Sequence, residues 1–155
     1  MLILCTGNTC RSPMAHVILE RLLEESGIRK KVQVSSAGIL TGGGSPASEM
    51  SIEVCRENGL DLSAHRSTRL SDELIFKADL VVVMEQMHVM FLLKARTTPG
   101  DKVKLLSEFS PDDSIGPDIS DPYGGQKNFY EQAFKDIYVC LEGLVAHLKE
   151  RLSVH

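Results

Sequence analysis

The first fourteen residues read Met1-Leu-Ile-Leu-Cys-Thr-Gly-Asn-Thr-Cys-Arg-Ser-Pro-Met14, and their order points to an α/β fold. Leu2-Ile-Leu4 is a short apolar run that stops in a Gly/Asn/Thr loop, the pattern of a buried parallel strand. Ser12-Pro13 then opens a helix, with serine suited to the N-cap and proline to the first helical position. Met14, Ile18 and Leu22, flanked by Ala15 and Leu19, form its apolar stripe, and Gly27 is placed to end it.

The same alternation continues along the chain. Val32-Gln-Val34 is expected to be a second strand, followed by Ser35-Ser-Ala-Gly38 and a flexible Gly42-Gly-Gly44 loop. Ser45-Pro46 repeats the cap-plus-proline signal for a helix reaching Asn58, which Gly59 ends. A short helix near Asp72 to Lys77 precedes Leu80-Val-Val-Val-Met84, the clearest central strand. Further elements are a helix over Gln86 to Lys94, a turn at Pro99-Gly100, a fourth strand over Val103 to Leu106 and a last helix over about Gln126 to Arg151. In that helix Tyr130, Phe134, Ile137, Leu141, Leu144 and Leu148 follow a 4-3-4-3-4 spacing. Docking of one helix on a sheet is favoured over a coiled coil, because three or more unbroken heptads are absent. Strands alternating with helices imply a parallel sheet with right-handed crossovers, a three-layer α/β sandwich.

Length and composition narrow the function classes. The chain has 155 residues, enough for one domain over 1–155 with its own core and no need of disulfide or metal staples. Seventeen Lys plus Arg against 21 Asp plus Glu give a formal charge of −4, which argues against nucleic-acid or membrane partners. No apolar run approaches the roughly 20 residues of a membrane span. The N-terminus lacks the basic segment and cleavage site of a secretory signal, so a cytoplasmic protein is expected. Cys5, Cys10, Cys55 and Cys140 are too few for a disulfide scaffold. Their spacing fits neither a thioredoxin-like pair nor a zinc site. Cys55 and Cys140 fall in helices as packing residues, whereas Cys5 and Cys10 crowd one short polar loop.

That loop, Cys5-Thr-Gly-Asn-Thr-Cys-Arg-Ser12, joins the first strand to the first helix, where open α/β sheets hold their ligands. Peptide N–H groups from Thr6, Gly7, Asn8, Thr9, Cys10 and Arg11 can curl into a ring. The helix N-terminus adds its own donors, and such an array binds a tetrahedral oxyanion. Gly7 supplies backbone freedom, and the Arg11 fork can hold two oxygens of one phosphate. No Gly-Lys-Ser/Thr follows, so this is not a nucleotide loop. Cys5 at the strand's end can aim its sulfur into the ring. An ordinary thiol, pKa about 8.5, is scarcely ionised at neutral pH, and sites of this kind favour the thiolate. The same donors would hold phosphate while sulfur attacks phosphorus in line. Ser12 is placed to donate to the sulfur.

Ser107 to Gly125 is a 19-residue stretch without helix or strand pattern. It carries Pro111, Pro117 and Pro122 with Glu108, Asp112, Asp113, Asp118 and Asp121. A loop this long within a compact domain is expected to be functional. Asp121 precedes proline, which biases it to an extended conformation from which its carboxyl can project. Asp118 is its competitor for an acid/base role.

CTGNTCRSPMA at the N-terminus, SSAG after the second strand and DPYGG before the last helix resemble the low-molecular-weight protein tyrosine phosphatase family. The resemblance spans the whole chain. It implies a four-stranded parallel sheet of flavodoxin-like architecture, no metal or other cofactor, and a phosphocysteine intermediate. It implies Cys5 as nucleophile, Arg11 as phosphate clamp and Asp121 as general acid, with Asn8, Ser12, Ser36 and His65 as a polar network shaping the loop. Phosphorylated protein substrates and inorganic phosphate as product follow. Thr9, Leu40 and Tyr123 are the expected specificity positions. Tyrosine phosphatases of the family carry an aliphatic residue where Thr9 stands. CTGNTCRS with DP-aromatic-GG is closer to the bacterial protein-arginine phosphatase subgroup. Phosphoarginine is therefore favoured and phosphotyrosine stays open. An arsenate reductase, which needs a further cysteine pair, and a silent phosphate-binding module are the remote alternatives. The family also implies that Cys5 and Cys10 can pair on oxidation.

Overall fold

Successive side chains of a strand point to opposite faces of the sheet, and strand β1 (Leu2–Cys5) uses both faces fully. Ile3 and Cys5 enter one apolar core together with Met14, Ile18, Ile137, Leu141 and Leu144. Leu2 and Leu4 enter a second core with Ile75, Val81, Val83 and Leu92. The computed structural model, which describes residues 1–95 and 98–154, thus has helices on both faces of the sheet. Helices α1 (Arg11–Glu25), α2 (Glu49–Glu57) and α5 (Lys127–Ser153) cover one face. Helices α3 (Asp72–Lys77) and α4 (Gln86–Lys94) cover the other. Burying each of these aliphatic side chains contributes about 1.5–3 kcal/mol.

The sheet is parallel throughout, in the order β2-β1-β3-β4, with β2 at Ser35–Gly38, β3 at Val81–Val83 and β4 at Val103–Leu105. The chain leaves β1 for β2 on one side and returns past β1 to β3 on the other. That reversal opens a crevice at the carboxyl ends of β1 and β3, the usual ligand position in such sheets.

Several element boundaries differ from the sequence expectation. The second strand is Ser35–Gly38 and not Val32–Val34, because pairing with β1 sets the register at Leu2↔Ser35. Gly38, at its end, lies so near the first loop that a Cβ would sit 2.9 Å from the Gly7 carbonyl carbon and 3.0 Å from Asn8 Cβ. Helix α1 begins at Arg11 with Cys10 as N-cap, so Ser12 lies within the helix and its hydroxyl is free for another task. Helix α2 begins after Ser48, whose hydroxyl accepts from the Ser51 N–H. The backbone at Ser45-Pro46 is instead occupied in pairing with Arg66 and Ser67. The first residues of the long acidic segment form a 3-10 turn, Leu106–Phe109. Helix α5 docks along α1 and α2 of its own chain, as its single apolar stripe requires. No helix among the described residues is long and apolar enough to cross a membrane.

Candidate active site

Everything in the first loop is arranged around Asn8. Its backbone has φ +54°, the one non-glycine residue in the left-handed region among the described residues. Asparagine tolerates that conformation because its short polar side chain can bond locally. Asn8 is fully buried, and each of its polar groups has a partner. Its N–H donates to Cys5 Sγ at 3.2 Å and its carbonyl accepts from His65 Nε2 at 2.7 Å. Its Nδ2 donates to Ser12 Oγ at 2.7 Å and Ser36 Oγ at 3.1 Å, while Oδ1 accepts from the Thr68 N–H at 2.9 Å. His65, which by itself could pass for a surface residue, thus joins the network, as does Ser36.

Cys5 Sγ also lies 2.9 Å from Ser12 Oγ. Ser12 already accepts from Asn8, so its own proton is available to the sulfur. Two donors therefore converge on Cys5, at the N-terminus of α1, whose dipole favours a negative charge there. Cys10 Sγ turns away, toward Ser48 Oγ at 3.4 Å and the Tyr130 hydroxyl at 3.7 Å. Burial pushes the Tyr130 phenol up from its ordinary pKa, with Cys10 adding to the shift. Cys55 and Cys140 stay in the core, their thiols pushed up by burial to about 12 and about 11, as suits packing residues.

Arg11 is 1% exposed. Its Nη1 is held by the Glu85 carboxylate and by the Ile119 carbonyl at 2.7 Å. Its Nη2 lies 3.4 Å from Asp121 Oδ2, and its Nε bonds to no other described residue. A buried guanidinium with Nη1 fully engaged, Nε without a partner and Nη2 facing only Asp121 matches the two-oxygen fork that phosphate takes. A cavity of about 330 Å³ opens here, lined by Cys5, Thr6, Gly7, Thr9, Cys10, Arg11, Leu40, Asp121 and Tyr123. Leu40 and Tyr123 stand at its mouth, 73% and 76% exposed. Thr9 is half-buried in its wall.

The acidic loop resolves into two roles. Asp118 Oδ1 accepts from the Gln86 N–H at 2.7 Å, at the start of α4, and Asp118 does not line the cavity. Asp121 does line it, with Oδ1 accepting from the Tyr123 N–H at 3.1 Å. Ile119 is fully buried between them, and its N–H donates to the Met84 carbonyl at 2.9 Å, which ties the loop to the end of β3.

Glu85 and His88 escaped the sequence reading. Both follow the clearest central strand, and the rule that ligands sit beyond strand ends would have marked that turn. His88 is buried, and its Nε2 is 3.0 Å from Thr6 Oγ1. Burial, followed by the neighbouring Arg11 charge, holds its imidazole below the ordinary histidine pKa.

This constellation offers a thiol on which two donors converge, a buried guanidinium fork and a carboxyl at the mouth. Comparisons with known proteins agree with that chemistry. The family model described as low molecular weight phosphotyrosine protein phosphatase matches residues 1–154. The protein-arginine-phosphatase of Geobacillus stearothermophilus is 37% identical over 153 residues, 99% of this chain and 95% of that protein. Low molecular weight protein-tyrosine phosphatase A of Mycobacterium tuberculosis (H37Rv) is 35% identical over 153 residues, 96% of this chain and 91% of that protein. Among solved structures, the YwlE arginine phosphatase, as a cysteine-to-serine mutant with a phosphorylated active-site serine, matches with a TM-score of 0.87. That match has 34% identity and covers 96% of this chain and 94% of that one. The chain therefore belongs to the low molecular weight phosphotyrosine protein phosphatase family and is a protein phosphatase.

Proposed function

We propose that Cys5 is the nucleophile, Arg11 the phosphate clamp and Asp121 the general acid and base of this phosphatase. The convergence of the Ser12 hydroxyl and the Asn8 N–H on Cys5 Sγ, beside a cavity that Cys5 and Arg11 both line, carries the reading. The thiolate attacks phosphorus in line, the bond to the substrate's leaving atom breaks, and Asp121 supplies the proton that atom takes up. Water then attacks the phosphocysteine, Asp121 recovers a proton, and the thiolate leaves toward Ser12 and Asn8 with release of inorganic phosphate. Loop and helix donors, with Arg11, stabilise the charge on the transferring group. Cys5→Ser abolishes turnover of an aryl phosphate; a variant that keeps wild-type turnover overturns the assignment.

The substrate side chain is read as phosphoarginine. Thr9 puts a hydroxyl in the cavity wall, and Asp121 supplies a carboxylate at the mouth, features that suit a slim cationic guanidino group over a flat phenyl ring. Asp118, the other carboxylate of this loop, is engaged at the N-terminus of α4 and takes no part here. The YwlE structure and the Geobacillus relative, both named arginine phosphatases, support this reading. The paired measurement is the rate on phosphoarginine and phosphotyrosine peptides, for wild type and Thr9→Ile. The ratio shifts toward phosphotyrosine in the variant, and an unchanged ratio refutes the role of Thr9.

Oxidative pairing of Cys5 with Cys10 is the regulatory part of the proposal, since both residues line one cavity. It requires Cys10 to leave Ser48 and Tyr130. Sulfinylated Cys5 without a Cys5–Cys10 link after mild peroxide rules it out.

A further inference from the structure

The first turn of α4 touches the anion-binding loop at both of its ends. Glu85, the N-cap, holds Arg11 at the loop's far end. His88, three residues on, meets Thr6 at its near end. The direction of the His88 contacts follows from the donors around it. The Glu85 N–H donates to His88 Nδ1 at 3.2 Å, so Nδ1 is the acceptor nitrogen and the ring proton resides on Nε2. Nε2 therefore donates to Thr6 Oγ1. Burial and Arg11 favour this neutral ring, opposed by Glu85, Asp118 and Asp121, which are the other charged groups acting on it. Asp118 caps the same turn from the acid loop.

We propose that His88 is a positioning residue for phosphate binding, and that the first turn of α4 is a brace gripping the loop at Thr6 and Arg11. One imidazole serves two purposes, since Nδ1 caps the helix and Nε2 anchors the loop. The inference rests on the phosphatase reading of the same site.

Two variants separate the purposes. Asparagine places an acceptor where Nδ1 stands and nothing where Nε2 stands; glutamine places a donor where Nε2 stands. The measurements are calorimetric affinity for inorganic phosphate, which is independent of turnover, urea unfolding, and kcat and KM on an aryl phosphate. His88→Asn keeps most of the stability but weakens phosphate binding and raises KM about three- to tenfold, the worth of one hydrogen bond. His88→Gln is the less stable of the two and retains most of the phosphate affinity. On a Thr6→Val background, His88→Asn adds no further loss of affinity, whereas on Thr6→Ser it still does. The brace is overturned if the variants rank alike in stability and in affinity, or if the Thr6→Val and His88→Asn losses simply multiply. Absence of wild-type turnover with the affinity pattern intact would count against the enzymatic reading and leave the brace standing.

Discussion

Asn8 Nδ2 lies 2.7 Å from Ser12 Oγ, and Ser12 Oγ lies 2.9 Å from Cys5 Sγ. The first contact orients the second: with a lone pair of Ser12 taken by Asn8, the hydroxyl proton is directed to the sulfur. Asn8 thus acts on the Cys5 sulfur through its backbone N–H and again through Ser12, while Ser36, Thr68 and His65 hold it in a left-handed conformation.

Asn8→Ala removes three side-chain hydrogen bonds from a fully buried position. At roughly 1 kcal/mol each, the loss is ~3 kcal/mol, and the left-handed backbone adds about 1 kcal/mol more. Urea unfolding measures the stability. Aryl-phosphate kcat should fall more steeply than in a surface variant of matched stability.

Asp118 and Asp121 are three residues apart and do different work. Asp121→Asn lowers kcat about 100- to 10,000-fold, the range of a lost general acid. Asp118→Asn keeps the oxygen that accepts from Gln86 and stays within a few-fold of wild type. Equal losses in the two variants, measured by steady-state kinetics, contradict the division.

Two histidines make the fold sensitive to mild acid. Burial holds His88 and His16 below the ordinary value of 6.5, with Arg11 adding to the shift at His88 and Glu20 opposing it at His16. The unfolded chain then binds more protons than the folded one. Their contribution is complete above pH 6.5 and is lost as pH falls from there through the lower folded-state values. Urea midpoints at pH 7.5 and 5.5 should differ less in His88→Gln than in wild type.

Gly143 sits inside α5, where alanine is ordinarily the better helix former by about 1 kcal/mol. Here a Cβ would stand 1.8 Å from the Phe109 carbonyl oxygen. Gly143→Ala should therefore lower the thermal midpoint, and a raised midpoint would show that the turn at Leu106–Phe109 yields without cost.

The residues that carry the proposed chemistry were legible because the loop is local: Cys5, Arg11 and Ser12 share one strand-to-helix turn, and Asp121 is marked by its proline. Strand β2 begins three residues beyond the expected Val32 because its bounds depend on pairing with Leu2–Cys5, a long-range fact. Ser12 reads both as a helix cap and as a donor to the sulfur, and only the folded positions of Cys10 and Asn8 leave it the second role alone. Glu85 and His88 reach Arg11 and Thr6 across 74 and 82 residues of chain, and no periodicity records such a pairing.

By itself the sequence determined the alternation of strands and helices, the loop that can cup an oxyanion, and the cysteine within it that is proposed as nucleophile, since these follow from short-range pattern and residue chemistry. Tertiary structure decided which partner each polar atom takes: Asp118 at a helix start, Asp121 at the cavity, His88 on Thr6. Hydrogen bonds act only over about 3 Å, and distances of that order between remote segments exist only once the sheet and its two helical layers have packed.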